Sequence, residues 1–198
     1  MRHHPSGQAQ PGAVFLDRDG TIIEEIGYLH RIDQVSLYPW SIDAIRALNR
    51  SGFRVVLVTN QSGIARGFLT EAIVDEVHRH LAALLAEGGA RIDAYYYCPH
   101  HSDGTIEAYV QRCACRKPGR ALVDRAVDAF GIDPARSFVI GDRWLDVELA
   151  RAIGGRGILV RTGYGAAEEQ RPPPALTADA IVDNLVGAVG WVLRHLQL

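Results

Sequence analysis

Short apolar runs rich in β-branched and aromatic residues recur along the chain and alternate with longer amphipathic stretches. AVFL (13–16), FRVVLV (53–58), IDAYYY (92–97), SFVI (137–140), GILV (157–160) and ADAIV (178–182) read as buried strands. Helical patterns lie near 41–50, 70–87, 119–130, 145–153 and 184–196. Thr70 followed by Glu71 marks a helix start, and Gly52 and Gly131 mark helix stops. Strands alternating with helices predict βαβ units. The expected fold is therefore α/β, three layers deep, with a mostly parallel sheet covered by helices on both faces.

In such sheets, ligands bind beyond the carboxyl ends of the strands. The residues just after the runs are DRDGT after AVFL, TNQSG after VVLV, a cysteine-containing segment ending in RKP after AYYY, and GDRWLD after FVI. Small, polar and charged residues thus collect at four strand ends, where a site is expected.

Composition changes this picture little. At 198 residues, 47% of them hydrophobic, the chain suits one domain with a full core, placed at 13–198 behind a disordered polar tail at 1–12. A net charge of -2 gives no reason to expect nucleic acid or a membrane surface as partner. No apolar run approaches the roughly eighteen residues of a membrane span. The opening MRHHPSGQAQPGAV has no apolar stretch of the signal-peptide kind, so a cytoplasmic protein is expected. A monomer is the expected state. EEQRPPP (168–174) reads as a hinge-like linker, and His78, His80 and His195 read as helix-surface residues.

The strand ends carry a definite chemistry. Asp17 and Asp19 stand two apart and can point into one cleft, although D-x-D-G alone is also common in turns. Asp142, beyond another strand, shifts the balance: Asp17 and Asp142 can share a hard, oxygen-liganded cation, Mg²⁺. Thr59 and Asn60 add a hydroxyl, an amide and backbone N–H groups. Lys117 adds a point charge. It is the only lysine in a chain that otherwise uses arginine. Carboxylates, Mg²⁺, a threonine hydroxyl and an ammonium together suit a phosphoryl group under attack by a carboxylate.

The three cysteines also lie close together. Cys98-x-His100 and Cys113-x-Cys115 are separated by twelve residues. Three thiolates and one imidazole make the tetrahedral donor set that structural zinc prefers, with no open position for catalysis. His101 is an adjacent competitor for the imidazole position. A metal on Cys115 would fix the backbone that aims Lys117, two residues on.

FLDRDGTI, VTNQSGIARG, CRKP and VIGDRWLD resemble the four ordered motifs of the haloacid dehalogenase superfamily of phosphatases. With GYLH and YYYCPHH they resemble most closely its D-glycero-D-manno-heptose 1,7-bisphosphate phosphatases, relatives of the histidinol-phosphatases. The likeness runs from about Val14 to Gly165 and implies a Rossmann-like domain. It further implies that Asp17 is the nucleophile and Asp19 the acid, then base. Mg²⁺ would be held by the Asp17 side chain, the Asp19 carbonyl and Asp142. Thr59, Asn60, Gln61, Ser62 and Lys117 would hold the phosphate. Glu25, Ile26, Gly27, Tyr28, Arg116 and Arg143 would meet the sugar or its second phosphate, and Asp146 would orient Lys117 or the metal's waters. The resemblance favours His100 as the zinc ligand. Ile23 and Glu25 depart from the family's usual Asn and Asp near the expected specificity loop. About twenty residues separate the first motif from the next helix, too few for a cap domain. The implied substrate is a small phosphorylated sugar. Histidinol phosphate is the alternative, and an inactive zinc-stabilised binding module is the reading from another class.

Overall fold

In the computed structural model, which describes residues 11–195, the six expected strands are present: β1 (Ala13–Leu16), β2 (Arg54–Asn60), β3 (Ala94–Cys98), β4 (Phe138–Gly141), β5 (Arg156–Val160) and β6 (Ala180–Val182). They form one all-parallel sheet in the order β3-β2-β1-β4-β5-β6. The helices are α1 (Ser41–Arg50), α2 (Glu71–Glu87), α3 (Ala121–Phe130), α4 (Trp144–Ala152), α5 (Gly165–Glu169) and α6 (Leu185–Arg194).

Alternation along the strands explains the layers. Val14 and Leu16 of β1 join a core with α1, α2 and α6, whereas Ala13 and Phe15 face α3 and α4. Both faces of β1 are covered, so all four of its residues are apolar and fully buried. The expected helix signals hold. The Thr70 hydroxyl accepts from the Ile73 N–H at the start of α2, and Gly131 ends α3 at φ 64°.

The chain winds outward from β1 to β3, then returns to place β4 against the other side of β1. That reversal opens a crevice beyond the carboxyl ends of β1 and β4. Residues 17–40 cross its mouth as a loop tied by isolated bridges from Ile23 to Asp19 and Leu37, and they build no separate cap. No helix among the described residues is long and apolar enough to cross a membrane.

Three expectations need correction. The proposed tail lies outside the described residues up to residue 10, but Pro11 and Gly12 belong to the fold. The Pro11 carbonyl accepts from the Asp133 N–H at 3.0 Å. The 168–174 linker begins inside a helix, α5, held by the Trp144 indole donating to the Glu168 carbonyl at 2.7 Å and by an Arg161–Glu169 ion pair. His78 is buried, not on the helix surface: it lies on the inner face of α2 with Val74, Val77 and Leu81.

Candidate active site and metal centres

Asp17 follows β1 directly and extends its ladder, its N–H donating to the Ile140 carbonyl at 2.9 Å. One oxygen, Oδ1, accepts from the Arg18 N–H at 2.8 Å and from Lys117 Nζ at 2.9 Å. Among the described residues Oδ2 has no such partner, so this carboxylate is fixed at one end and free at the other. Asp142 follows β4 and is 1% exposed. Its Oδ2 accepts from the Tyr164 N–H at 2.8 Å. Gly20 (φ +74°) and Gly163 (φ +57°) press on that carboxylate from two sides; a Cβ on either would sit 2.2 Å from Oδ2. Only glycine fits there, for space and for backbone conformation.

Asp146 completes the acidic cluster from the first turn of α4. Its Oδ2 accepts from the Arg143 N–H at 3.3 Å, a side-chain cap on the helix N-terminus. Its Oδ1 accepts from Lys117 Nζ at 2.6 Å. One oxygen each from Asp17, Asp142 and Asp146 can be chosen so that all lie within 4.8 Å of one another.

Lys117 is thus an enclosed ammonium between two carboxylates. Burial alone would lower its pKa, but Asp146 and Asp17 outweigh that and hold it above the usual lysine range. Three buried carboxylates still face one cation. The surplus shows at Asp142, whose carboxyl is pushed up to about 8 by burial and then by Asp17. Burial likewise raises Asp146, against the pull of Lys117. Carboxylate oxygens converging with surplus negative charge suit a hard dication such as Mg²⁺.

Asp19 is placed differently. Arg18, 1% exposed, grips both of its oxygens at 2.9–3.2 Å and donates to Gln61 Oε1 at 3.0 Å. Behind it, Arg18 Nη1 lies 3.4 Å from His78 Nε2. Burial, then Arg18, depresses His78 to about 3, so it is a neutral acceptor at neutral pH. The Gln61 amide nitrogen donates to Asp19 Oδ2 at 2.9 Å and to Thr59 Oγ1 at 3.0 Å. Thr59 therefore accepts from Gln61 and keeps its own O–H to donate elsewhere.

Two residues expected to touch phosphate turn their side chains inward instead. Gln61 is committed to the Arg18–Asp19–Thr59 network. Asn60 holds Lys117 at its backbone, accepting from its N–H at 2.9 Å and donating to its carbonyl at 3.2 Å. Both still line a cavity of about 360 Å³ with Asp17, Asp19, Glu25, Gly27, Tyr28, Ser62, Arg116, Lys117, Asp142 and Arg143. Ile26 does not; it faces a shallower neighbouring depression and is 46% exposed. Arg66, His101 and Tyr164 also line the main cavity; of these the sequence marks only His101, and as a candidate metal ligand, not as a cavity residue. Tyr164 was findable, since it follows the β5 end by four residues.

The second centre stands beside the first. Cys98 ends β3, and its Sγ lies 3.4 Å from Cys113 Sγ and 3.2 Å from Cys115 Sγ, with no disulfide. His100 Nδ1 is 3.3 Å from Cys115 Sγ. His101 turns away: its Nε2 lies 3.3 Å from Arg66 Nη2 in the main cavity. Three sulfurs and one nitrogen converging this closely suit zinc. Purified protein is expected to contain about one zinc per chain by elemental analysis. Cys113→Ser or Cys115→Ser should lower that content. Either should also lower Tm by roughly 10 °C or more, as loss of several kcal/mol implies at this length. Unchanged Tm after zinc is stripped would contradict a structural role.

A family model described as HAD-hydrolase-like matches residues 114–188. The chain is 45% identical over 185 residues to the D-glycero-β-D-manno-heptose-1,7-bisphosphate 7-phosphatase of Salmonella typhi, covering 93% of this chain and 90% of that one. It is 45% identical over 152 residues to the enzyme of the same name from Escherichia coli K12, covering 76% of this chain and 80% of that one. A solved structure, the D,D-heptose 1,7-bisphosphate phosphatase of B. bronchiseptica complexed with magnesium and phosphate, superposes with a TM-score of 0.81 at 30% identity. It covers 93% of this chain and 99% of that one. The chain belongs to the haloacid dehalogenase superfamily and, within it, to the D-glycero-D-manno-heptose-1,7-bisphosphate 7-phosphatase family of phosphoric monoester hydrolases.

Proposed function

We propose that this chain removes the 7-phosphate of D-glycero-D-manno-heptose 1,7-bisphosphate through an aspartyl-phosphate on Asp17. The observation that carries this reading is the half-tethered Asp17 carboxylate. Lys117 and the Arg18 N–H fix Oδ1, and Oδ2 is left to attack. Attack forms the Asp17 Oδ2–P bond and breaks the bond from phosphorus to the sugar's 7-oxygen. Asp19 supplies the proton that this oxygen needs to leave. It later takes a proton from the water that attacks the aspartyl-phosphate, releasing inorganic phosphate and restoring Asp17. Lys117, the Thr59 O–H and the Ser62 segment hold the phosphoryl oxygens as charge shifts onto them.

Asp17, the Asp19 carbonyl and Asp142 would hold Mg²⁺, with Asp146 beside them. When bound, the ion neutralises the surplus carboxylate charge and charge on the transferring group. The zinc set of Cys98, His100, Cys113 and Cys115 would anchor the segment that carries Arg116 and Lys117. Arg66 and Arg116, on the zinc-loop side of the cavity, suit the distal phosphate, and Glu25 suits sugar hydroxyls. Burial raises the Glu25 carboxyl above its usual range, against the Gly27 N–H that it accepts from.

The test is phosphate release from a panel: both anomers of the heptose 1,7-bisphosphate, fructose 1,6-bisphosphate and histidinol phosphate. The heptose bisphosphate is expected to give the highest kcat/KM, with the β anomer named for the relatives ahead of α. Histidinol phosphate ahead of both anomers would overturn the substrate assignment and leave the phosphatase chemistry standing.

A further inference from the structure

We propose that Tyr164 is a positioning residue for substrate recognition, acting through Arg143. This rests on the sugar-bisphosphate reading above. The Arg143 guanidinium lies over the Tyr164 ring, 3.9 Å from its centroid. Among the described residues the guanidinium has no ion pair and no hydrogen bond. Its N–H donors are therefore available to a ligand in the cavity that both side chains line. A long side chain at a cavity wall with no polar partner would normally sample many rotamers. Resting on the ring face removes that freedom without occupying its donors.

The backbone that carries the ring is anchored, and the ring is not core filler. Tyr164 is 39% exposed. Its backbone is fixed on both sides: the Tyr164 N–H donates to Asp142, and the Thr162 hydroxyl donates to the Gly20 carbonyl at 2.6 Å. Gly165, next in the chain, is packed so tightly that a Cβ would meet the Val160 carbonyl oxygen at 1.7 Å. A large aromatic ring is thus presented half-exposed on an anchored loop, with a guanidinium laid on it. Glu25 lines the same cavity close enough to feel the Arg143 charge. Between them, donors on one side and an acceptor on the other suit an oxygen-rich sugar phosphate.

The experiment is a double-mutant cycle of Tyr164→Ala and Arg143→Ala, with Tyr164→Phe as the conservative variant. kcat and KM are measured with heptose 1,7-bisphosphate, heptose 7-phosphate and acetyl phosphate. Tyr164→Ala is expected to lower kcat/KM for the bisphosphate about tenfold, mainly through KM, as a well-packed cation–π contact implies. The loss with acetyl phosphate, which has no sugar, should be much smaller. Tyr164→Phe should restore most of the loss, because the ring face and not the hydroxyl supports Arg143. The double variant should be no worse than Arg143→Ala alone. Coupling that survives with heptose 7-phosphate assigns Arg143 to a hydroxyl; coupling lost there assigns it to the distal phosphate. Additive losses, or equal losses on all three substrates, would overturn the proposal while wild-type turnover of the bisphosphate stands. Absence of that wild-type turnover would overturn both this proposal and the function it rests on.

Discussion

Asp17→Asn is expected to abolish turnover, by on the order of 10⁴-fold or more, while the protein stays folded. The amide keeps the shape of the carboxylate, and its oxygen can still accept from Lys117 and the Arg18 N–H. It has no second anionic oxygen to attack phosphorus. The change also removes one negative charge from a buried cluster in which three carboxylates oppose one ammonium. Stability should therefore hold or rise slightly at neutral pH, because repulsion with Asp142 is relieved. Turnover is measured by phosphate release and folding by thermal unfolding. More than a trace of wild-type turnover would remove Asp17 from its role as nucleophile. Asp19→Asn makes the contrast, since Asp17 can still attack when the leaving group needs no proton. A phosphoenzyme should then accumulate from an activated aryl phosphate, because the base for its hydrolysis is gone.

The second large effect is expected at Lys117. Its side chain is 3% exposed and its Nζ sits 2.6 Å from Asp146 and 2.9 Å from Asp17. A compact ammonium reaches both carboxylates from one point. The broad planar guanidinium of arginine cannot replace it in that space. Losing such a contact in a preorganised site costs on the order of a hundredfold or more in rate. Lys117→Arg and Lys117→Ala should both lose most of their turnover with zinc still bound. The alanine variant should also be less stable, since it leaves Asp146 buried and unpaired; broken buried pairs cost roughly 3–5 kcal/mol. Turnover, zinc content and Tm are read together on both variants. Near-normal turnover in the arginine variant would reject the clamp.

The position of Lys117 shows what the sequence could and could not reveal. Its uniqueness and its place two residues after Cys115 pointed to an anchored phosphate ligand. The hold supplied by Asn60, gripping both backbone groups of Lys117, was invisible because nothing local links residues 57 apart. Strands were legible because each is a short apolar run, and their order placed the four motifs at one crevice. α5 was not, because five residues are too few to display a helical period and tertiary contacts hold it. Residue type alone suggests a surface histidine at 78, whereas its spacing from Val74, Val77 and Leu81 puts it on the buried face. Arg18 follows the same logic. A charged residue is expected outside, yet here Asp19, Gln61 and His78 satisfy it inside.

The central claim is that Asp17 takes phosphate from one defined end of a heptose bisphosphate. The most direct measurement is ³¹P NMR of the wild-type reaction with D-glycero-D-manno-heptose 1,7-bisphosphate and Mg²⁺. The predicted spectrum shows the 7-phosphate signal replaced by inorganic phosphate in equal amount, with the anomeric 1-phosphate intact. Accumulation of heptose 7-phosphate, or an unchanged bisphosphate beside rapid hydrolysis of another phosphate monoester, would contradict it.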